Sequence, residues 1–128
     1  MTPDLQMLVW SAALFIVQML VASAGAQGQL GLPALAGNRE DLPAIRGWAG
    51  RARRAHSNML ENLLVFAIVV IVAHVAGKAN PTTALGAALF FWARLAYAVI
   101  YVAGIPWLRT AAWAVSLAGI VLIFTQLF

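Results

Sequence analysis

The sequence predicts an all-α integral membrane protein, an up-and-down antiparallel bundle of four transmembrane helices. Three observations predict it. First, 63% of the 128 residues are hydrophobic and 9% are charged, against about 45–50% and about 25% in a soluble domain. Second, the apolar residues fall into four runs, each close to the about 20 residues that a membrane-crossing helix needs. Third, the runs are continuous and rich in Ala, Leu and Val, without the alternation of a β-barrel strand. The composition equally excludes a water-soluble globule, a disordered tail and a solvent-facing coiled coil.

The first run covers about residues 5–26. Ala22-Ser23-Ala24 looks like a signal-cleavage site, but the run is preceded by Asp4 and by no Lys or Arg. A signal peptide needs a basic leading region, so the run is read as a retained span. Residues 27–54 form a polar loop, in which Gly28, Gly31, Pro33, Gly37, Pro43, Gly47 and Gly50 break any helix. The second run covers about 55–76 and ends at Gly77-Lys78-Ala79-Asn80-Pro81. The third covers about 82–103 and is broken by Gly104-Ile105-Pro106, and the fourth covers about 107–127. Connections this short make the last three helices antiparallel neighbours. Residues 1–128 thus read as one membrane domain with no soluble domain and no internal repeat.

The net charge is +4. Arg39, Arg46, Arg51, Arg53, Arg54 and Arg109 flank one side of the spans, whereas Lys78 stands alone on the other. The positive-inside rule then places the first loop in the cytoplasm and both termini outside. Membrane orientation and anionic ligands account for this charge better than nucleic acid does. The absence of cysteine excludes disulfides, thiolate metal sites and a cysteine nucleophile. His56 and His74, with no carboxylate cluster nearby in sequence, make a poor metal site and read as interface residues. Trp10, Trp48 and Trp107 read as interface anchors. Ser11 and Gln18 read as polar glue between helices, and Ala84, Gly86, Ala87 and Ala88 as a face for close helix contact.

Charged groups inside spans cost about 2.5–3.5 kcal/mol each on insertion scales, yet Glu61 lies in the second span and Arg94 in the third. Arg51, Arg54, Asn58 and Glu61 fall at i, i+3, i+7 and i+10, on one helix face over about 15 Å. Arg94, Tyr97 and Tyr101 form a second stripe, and Arg109, Trp113 and Ser116 a third. Two readings stand side by side. In one, the groups are internal staples, with Glu61 neutralising Arg94 and the tyrosines bonding across helices. In the other, the stripes converge near the cytoplasmic ends on a cleft whose surplus of positive charge calls for an anion. Such a ligand carries carboxylates for the arginines and an amine for Glu61.

The segment Gly47-Trp48-Ala49-Gly50-Arg51-Ala52-Arg53-Arg54-Ala55-His56-Ser57-Asn58-Met59-Leu60-Glu61-Asn62 resembles the second-helix signature of the MAPEG family, the membrane-associated proteins in eicosanoid and glutathione metabolism. Arg94, Tyr97 and Tyr101, followed by Pro106 and Arg109, resemble the third and fourth helices of that family. The likeness extends over about residues 37–113. It implies a homotrimer of four-helix protomers with glutathione, as co-substrate, in a cleft between neighbours. It further implies that Arg54, Asn58 and Glu61 contact glutathione, that Tyr97 and Tyr101 line the cleft, and that Arg109 stabilises the thiolate. Arg94 resembles a buried structural arginine, with Glu61 as its candidate partner.

The chemistry agrees with those roles. Arg54, and Arg51 as a second candidate, suit the carboxylates of glutathione, and Glu61 suits its ammonium. A guanidinium beside the sulfur lowers the thiol pKa and raises the thiolate fraction. The chain departs from the pattern of some members in having no basic residue in 22–28, Ser57 before the asparagine and Asn62 after the acid. The leading function is therefore a membrane glutathione transferase or peroxidase acting on small lipophilic electrophiles, with Arg109 as the catalytic residue. The alternative is a non-catalytic scaffold of the same fold that holds a lipid or fatty acid. A small transporter is a third reading, opposed by spans that break only at their junctions rather than in mid-membrane.

Overall fold

The computed structural model describes residues 1–128. It contains helices α1 (Pro3–Leu30), α2 (Leu32–Ala36), α3 (Gly47–Val75), α4 (Pro81–Ala103) and α5 (Pro106–Thr125), and no strands. The four long helices are each long and apolar enough to cross a membrane. The chain is therefore an integral, multi-pass, all-helical membrane bundle.

The helix ends follow local chemistry. Thr2 caps α1, accepting from the Leu5 N–H, with Pro3 at the first position. Asn80 caps α4 in a reciprocal capping box with Thr83, and Pro81 opens the helix. Gly104, at φ 86° and ψ 30°, closes α4 in the left-handed conformation that glycine adopts without penalty. Pro106 then starts α5.

Two ends of the bundle are tied by polar contacts. At one end the buried Asp4 lies beside Thr83 Oγ1 at 3.3 Å, and Asn80 Nδ2 donates to Gln126 Oε1 at 2.9 Å. At the other, Arg51 Nε donates to the Val102 carbonyl at 2.9 Å. Between them lies an apolar core built on Met59, Phe66, Phe90, Ile120 and Ile123, in which Phe66 and Phe90 stack with centroids 3.9 Å apart. Helices α4 and α5 approach most closely at Gly86 and Gly119, where a Cβ on Gly86 would meet the Gly119 carbonyl oxygen at 2.5 Å. Small residues at a crossing let two backbones touch, as the Ala/Gly-rich face led us to expect.

The loop at 27–54 is a correction. Helix α1 continues to Leu30, α2 forms a short turn of helix inside the loop, and residues 47–54 are already helical. The reason is that Gly50, read as a breaker, is a packing residue, as is Gly25 near the end of the first run. A Cβ on Gly25 would meet Ala49 Cβ at 2.6 Å, and one on Gly50 would meet the Ile45 carbonyl at 2.6 Å. The extended ends of α1 and α3 thus lean on each other. Gln29 holds the remaining loop, donating to the Arg46 carbonyl at 2.6 Å and accepting from its N–H at 2.9 Å.

Candidate functional site

The polar residues of three helices meet at the end of the bundle where α4 passes into α5. Asn58 on α3 anchors the arrangement. Its Oδ1 accepts from Arg94 Nη2 at 2.8 Å, and Asn62 Nδ2 donates to the Asn58 carbonyl at 2.8 Å and to Oδ1 at 3.2 Å. Arg94 is 1% exposed, and its Nε and Nη1 are buried without a partner. Its guanidinium carbon sits 4.1 Å from the centroid of the Tyr97 ring, so a cation–π contact supplies part of what a counter-ion would.

Tyr97 and Tyr101 are buried and pack edge to face at 5.5 Å. Tyr101 engages two arginines. Arg54 Nε donates to its hydroxyl at 3.3 Å, and Arg109 Cζ lies 4.4 Å above its ring. Arg109 stands in the first turns of α5, a helix whose start has no side-chain cap, so free backbone N–H groups and the helix dipole add to the local positive potential.

An opening of about 130 Å³ is lined by Asn58, Tyr97, Arg109, Thr110 and Trp113. A second hollow of about 350 Å³ shares Asn58 and Trp113 as walls and adds Glu61, Asn62 and the apolar Val65, Leu117 and Ile120. Together they make a groove along α3 and α5, cationic at the loop end and apolar toward the middle of the bundle. No group of three or more His, Asp or Glu side chains is gathered as a metal ion would need.

A family model described as MAPEG family matches residues 6–128. The chain belongs to the MAPEG family. No curated protein and no solved structure matches it. Membership in MAPEG supports, in general terms, a membrane role of the glutathione-related transferase or peroxidase kind.

The MAPEG positions expected from sequence are distributed as follows. Asn58, Tyr97 and Arg109 share the smaller opening, and Glu61 lies on the adjoining hollow. Arg54 and Tyr101 are joined to each other just behind them. Arg51 is engaged with the α4 carboxyl end. The pairing of Arg94 with Glu61 is a correction: Arg94 turns to Asn58, and Glu61 is exposed on the groove. Helical spacing fixes the face a residue occupies but not how that face is rotated against its neighbour, so Asn58 reaches Arg94 first. Ser116 also leaves the stripe, donating to the Trp113 carbonyl at 2.7 Å.

Asn62 and Thr110 line the groove without having been singled out as site residues. The signal for Asn62 was its spacing of four from Asn58. Nothing in the sequence marks Thr110 beyond its place next to Arg109. His56 faces away from the groove and stacks on Phe15 at 4.7 Å.

Proposed function

We propose that the protein is a glutathione-dependent transferase or peroxidase acting on lipophilic electrophiles dissolved in the bilayer. The observation that carries this reading is the charge of the groove. Arg54, Arg94 and Arg109 gather around Asn58, Tyr97 and Tyr101, and the one acid nearby, Glu61, is not the partner of the buried Arg94. Uncompensated cations in an apolar setting call for an anionic ligand.

Glutathione supplies two carboxylates, an ammonium and a thiol. Arg54 and Arg51 hold carboxylate in this reading, Glu61 takes the ammonium, and Arg109 lies beside the sulfur. The guanidinium favours the thiolate over the thiol, and the proton leaves to solvent at the loop end. The thiolate attacks the electrophile, forming a sulfur–carbon bond as the leaving group departs with its electron pair. In the peroxidase variant, two glutathiones reduce an O–O bond to alcohol and water and end as the disulfide. The apolar walls Val65, Leu117 and Ile120 suit a substrate that arrives from the membrane.

The groove is open on one side, and α3 presents Leu60, Leu64, Ile68, Ile71 and Val75 as an exposed apolar stripe. This supports a homotrimer in which a neighbour's helices close the cleft, with residues 1–128 as one membrane domain per protomer. The arginine count supports the loop facing the cytoplasm and the termini facing outward.

Conjugation of glutathione to a soluble aryl halide by the purified protein in detergent tests the reading. Turnover above the uncatalysed rate is expected. A second measurement separates the enzyme from a lipid-binding scaffold of the same fold: glutathione that binds the native state raises the melting temperature by mass action, and a scaffold blind to glutathione shows no rise. Mass measurement in detergent tests the trimer.

A further inference from the structure

Asn58 stands at both openings of the groove, and its amide can present either an oxygen or a pair of N–H groups to a ligand. Two neighbours decide which. Arg94 has donors only, so the atom that meets its Nη2 at 2.8 Å is the Asn58 oxygen. Asn62, about one turn further along α3, donates from Nδ2 to the Asn58 carbonyl at 2.8 Å and to the same Oδ1 at 3.2 Å. A backbone carbonyl accepts only, so the Asn62 amide has one orientation as well. Asn58 Oδ1 is thus held by donors on two helices.

The other half of the Asn58 amide is free. The side chain is half-buried. Its Nδ2 has no protein acceptor, yet it is not one of the sealed polar atoms of the bundle. The N–H groups therefore reach the open space that Asn58 lines. The smaller opening, shared with Arg109, holds about 130 Å³. Sites for whole ligands hold about 300–1,000 Å³, so this one takes a single group of a ligand. A guanidinium and an amide N–H pair facing one space suit one anion. In the glutathione reading, on which this inference rests, that anion is the sulfur.

We propose that Asn62 is a positioning residue that, by holding Asn58 Oδ1, keeps the Asn58 N–H groups aimed into the opening, where they donate to the glutathione sulfur beside Arg109. Arg94 alone gives the amide one tether about which to swing, and Asn62 supplies the second. A hydrogen bond to the ionised sulfur favours it over the thiol, and the thiol proton leaves to solvent as before. Asn62 itself touches neither sulfur nor electrophile. The charged and titratable groups around the sulfur are Arg109 and Tyr97 on the wall, Arg94 behind Asn58, Arg54 and Tyr101 behind these, and Glu61 in the adjoining hollow. None of them is altered in the variants below.

The test uses the purified full-length protein in detergent and two ligands, glutathione and the analogue in which a methyl group replaces the thiol. Calorimetry gives Kd for each, and the ratio of the two reads what the protein does at the sulfur. The parent is expected to prefer glutathione. Asn62→Leu, which removes the donor and keeps the bulk, should cut that preference about tenfold, the low end for a hydrogen bond to a charged group, while the Kd of the analogue stays as in the parent. At saturating glutathione its turnover number should fall by a similar factor, and the rising limb of the pH–rate profile should move about one unit to the alkaline side. Asn62→Gln, with an amide donor on a longer arm, should restore part of the preference. Asn58→Asp still accepts from Arg94 and Asn62 but offers the sulfur no N–H, so it should lose the preference altogether; this variant decides the matter should Asn62→Leu fail to fold. Equal weakening of both ligands by Asn62→Leu with the pH profile unmoved, or a preference that survives Asn58→Asp, would overturn the proposal and leave the glutathione reading standing. A parent protein that binds neither ligand would overturn that reading, and this inference with it, before any variant is made.

Discussion

Asn58 Oδ1 and Arg94 Nη2 lie 2.8 Å apart and join α3 to α4 through a charge-assisted hydrogen bond at the edge of the groove. Arg94 has no carboxylate in its place, so the amide oxygen carries much of the burden of keeping a guanidinium inside the bundle. Removing it leaves all three guanidinium nitrogens of Arg94 without a protein acceptor. Asn58→Ala should destabilise the protein by about 1–3 kcal/mol, between the range for transmembrane hydrogen bonds and that for bonds to charged groups. Asn58→Asp offers Arg94 a carboxylate and should recover most of that loss. Thermal unfolding of both variants in one detergent checks the order; an alanine variant as stable as the parent would show that Arg94 is held by its tyrosine contact alone.

The α4–α5 crossing depends on two glycines that face each other. A Cβ on Gly86 would lie 2.5 Å from the Gly119 carbonyl oxygen and 2.8 Å from an Ile123 side-chain carbon, and a Cβ on Gly119 would strike the Gly86 carbonyl in turn. Backbone cannot yield as a side chain can, so Gly86→Ala or Gly119→Ala should force the helices apart at a cost of about 1–3 kcal/mol. Melting temperature is the readout. The double substitution should be less than additive, because the first methyl already creates the gap that the second needs.

Gly104 turns α4 into α5 at φ 86° and ψ 30°. Its place also meets Arg51, whose Nε would lie 3.5 Å from an added Cβ, an ordinary contact. The cost of substitution is therefore conformational rather than steric. Gly104→Ala should destabilise by about 1 kcal/mol, and Gly104→Asn by less, since asparagine tolerates the left-handed region. A melting series of the two variants tests that ranking.

These residues show what a single sequence exposes and what it hides. The four helices are legible because span length and apolar continuity are local properties, and Asn80-Pro81 and Gly104-Ile105-Pro106 punctuate them with known cap chemistry. The convergence of Asn58, Tyr97 and Arg109 is legible because helical spacing assigns each to a face. The partner of Arg94 is not, because Glu61 and Asn58 sit three residues apart on α3 and only the rotation of that helix against α4 decides between them. The true extent of the polar loop is hidden for a related reason. Gly50 looks like a breaker until the facing Ile45 carbonyl is in place. That Gln18 Oε1 is buried with no hydrogen-bond partner, instead of gluing two helices, is invisible in sequence altogether, since it is defined by what the neighbouring helices fail to offer.

Arg109 is the residue on which the proposed chemistry turns. It lies over the Tyr101 ring at 4.4 Å and lines the opening with Asn58 and Trp113, half-buried and close to the uncapped start of α5. If its guanidinium holds the thiolate, Arg109→Ala should lower the turnover number about 10²-fold, the scale seen when one preorganised donor to a developing anion is removed. The loss should be smaller at high pH. Without the cation the bound thiol keeps a higher pKa, so the rising limb of the pH–rate profile moves to more alkaline values, and activity recovers as hydroxide supplies the thiolate. Arg109→Lys keeps a charge but not the planar fork and should fall between the two. Binding of glutathione, held in this reading by Arg54, Arg51 and Glu61, should weaken much less than turnover. A variant that loses affinity and rate together, with the pH profile unmoved, would reassign Arg109 to substrate binding and leave thiolate activation without its cation.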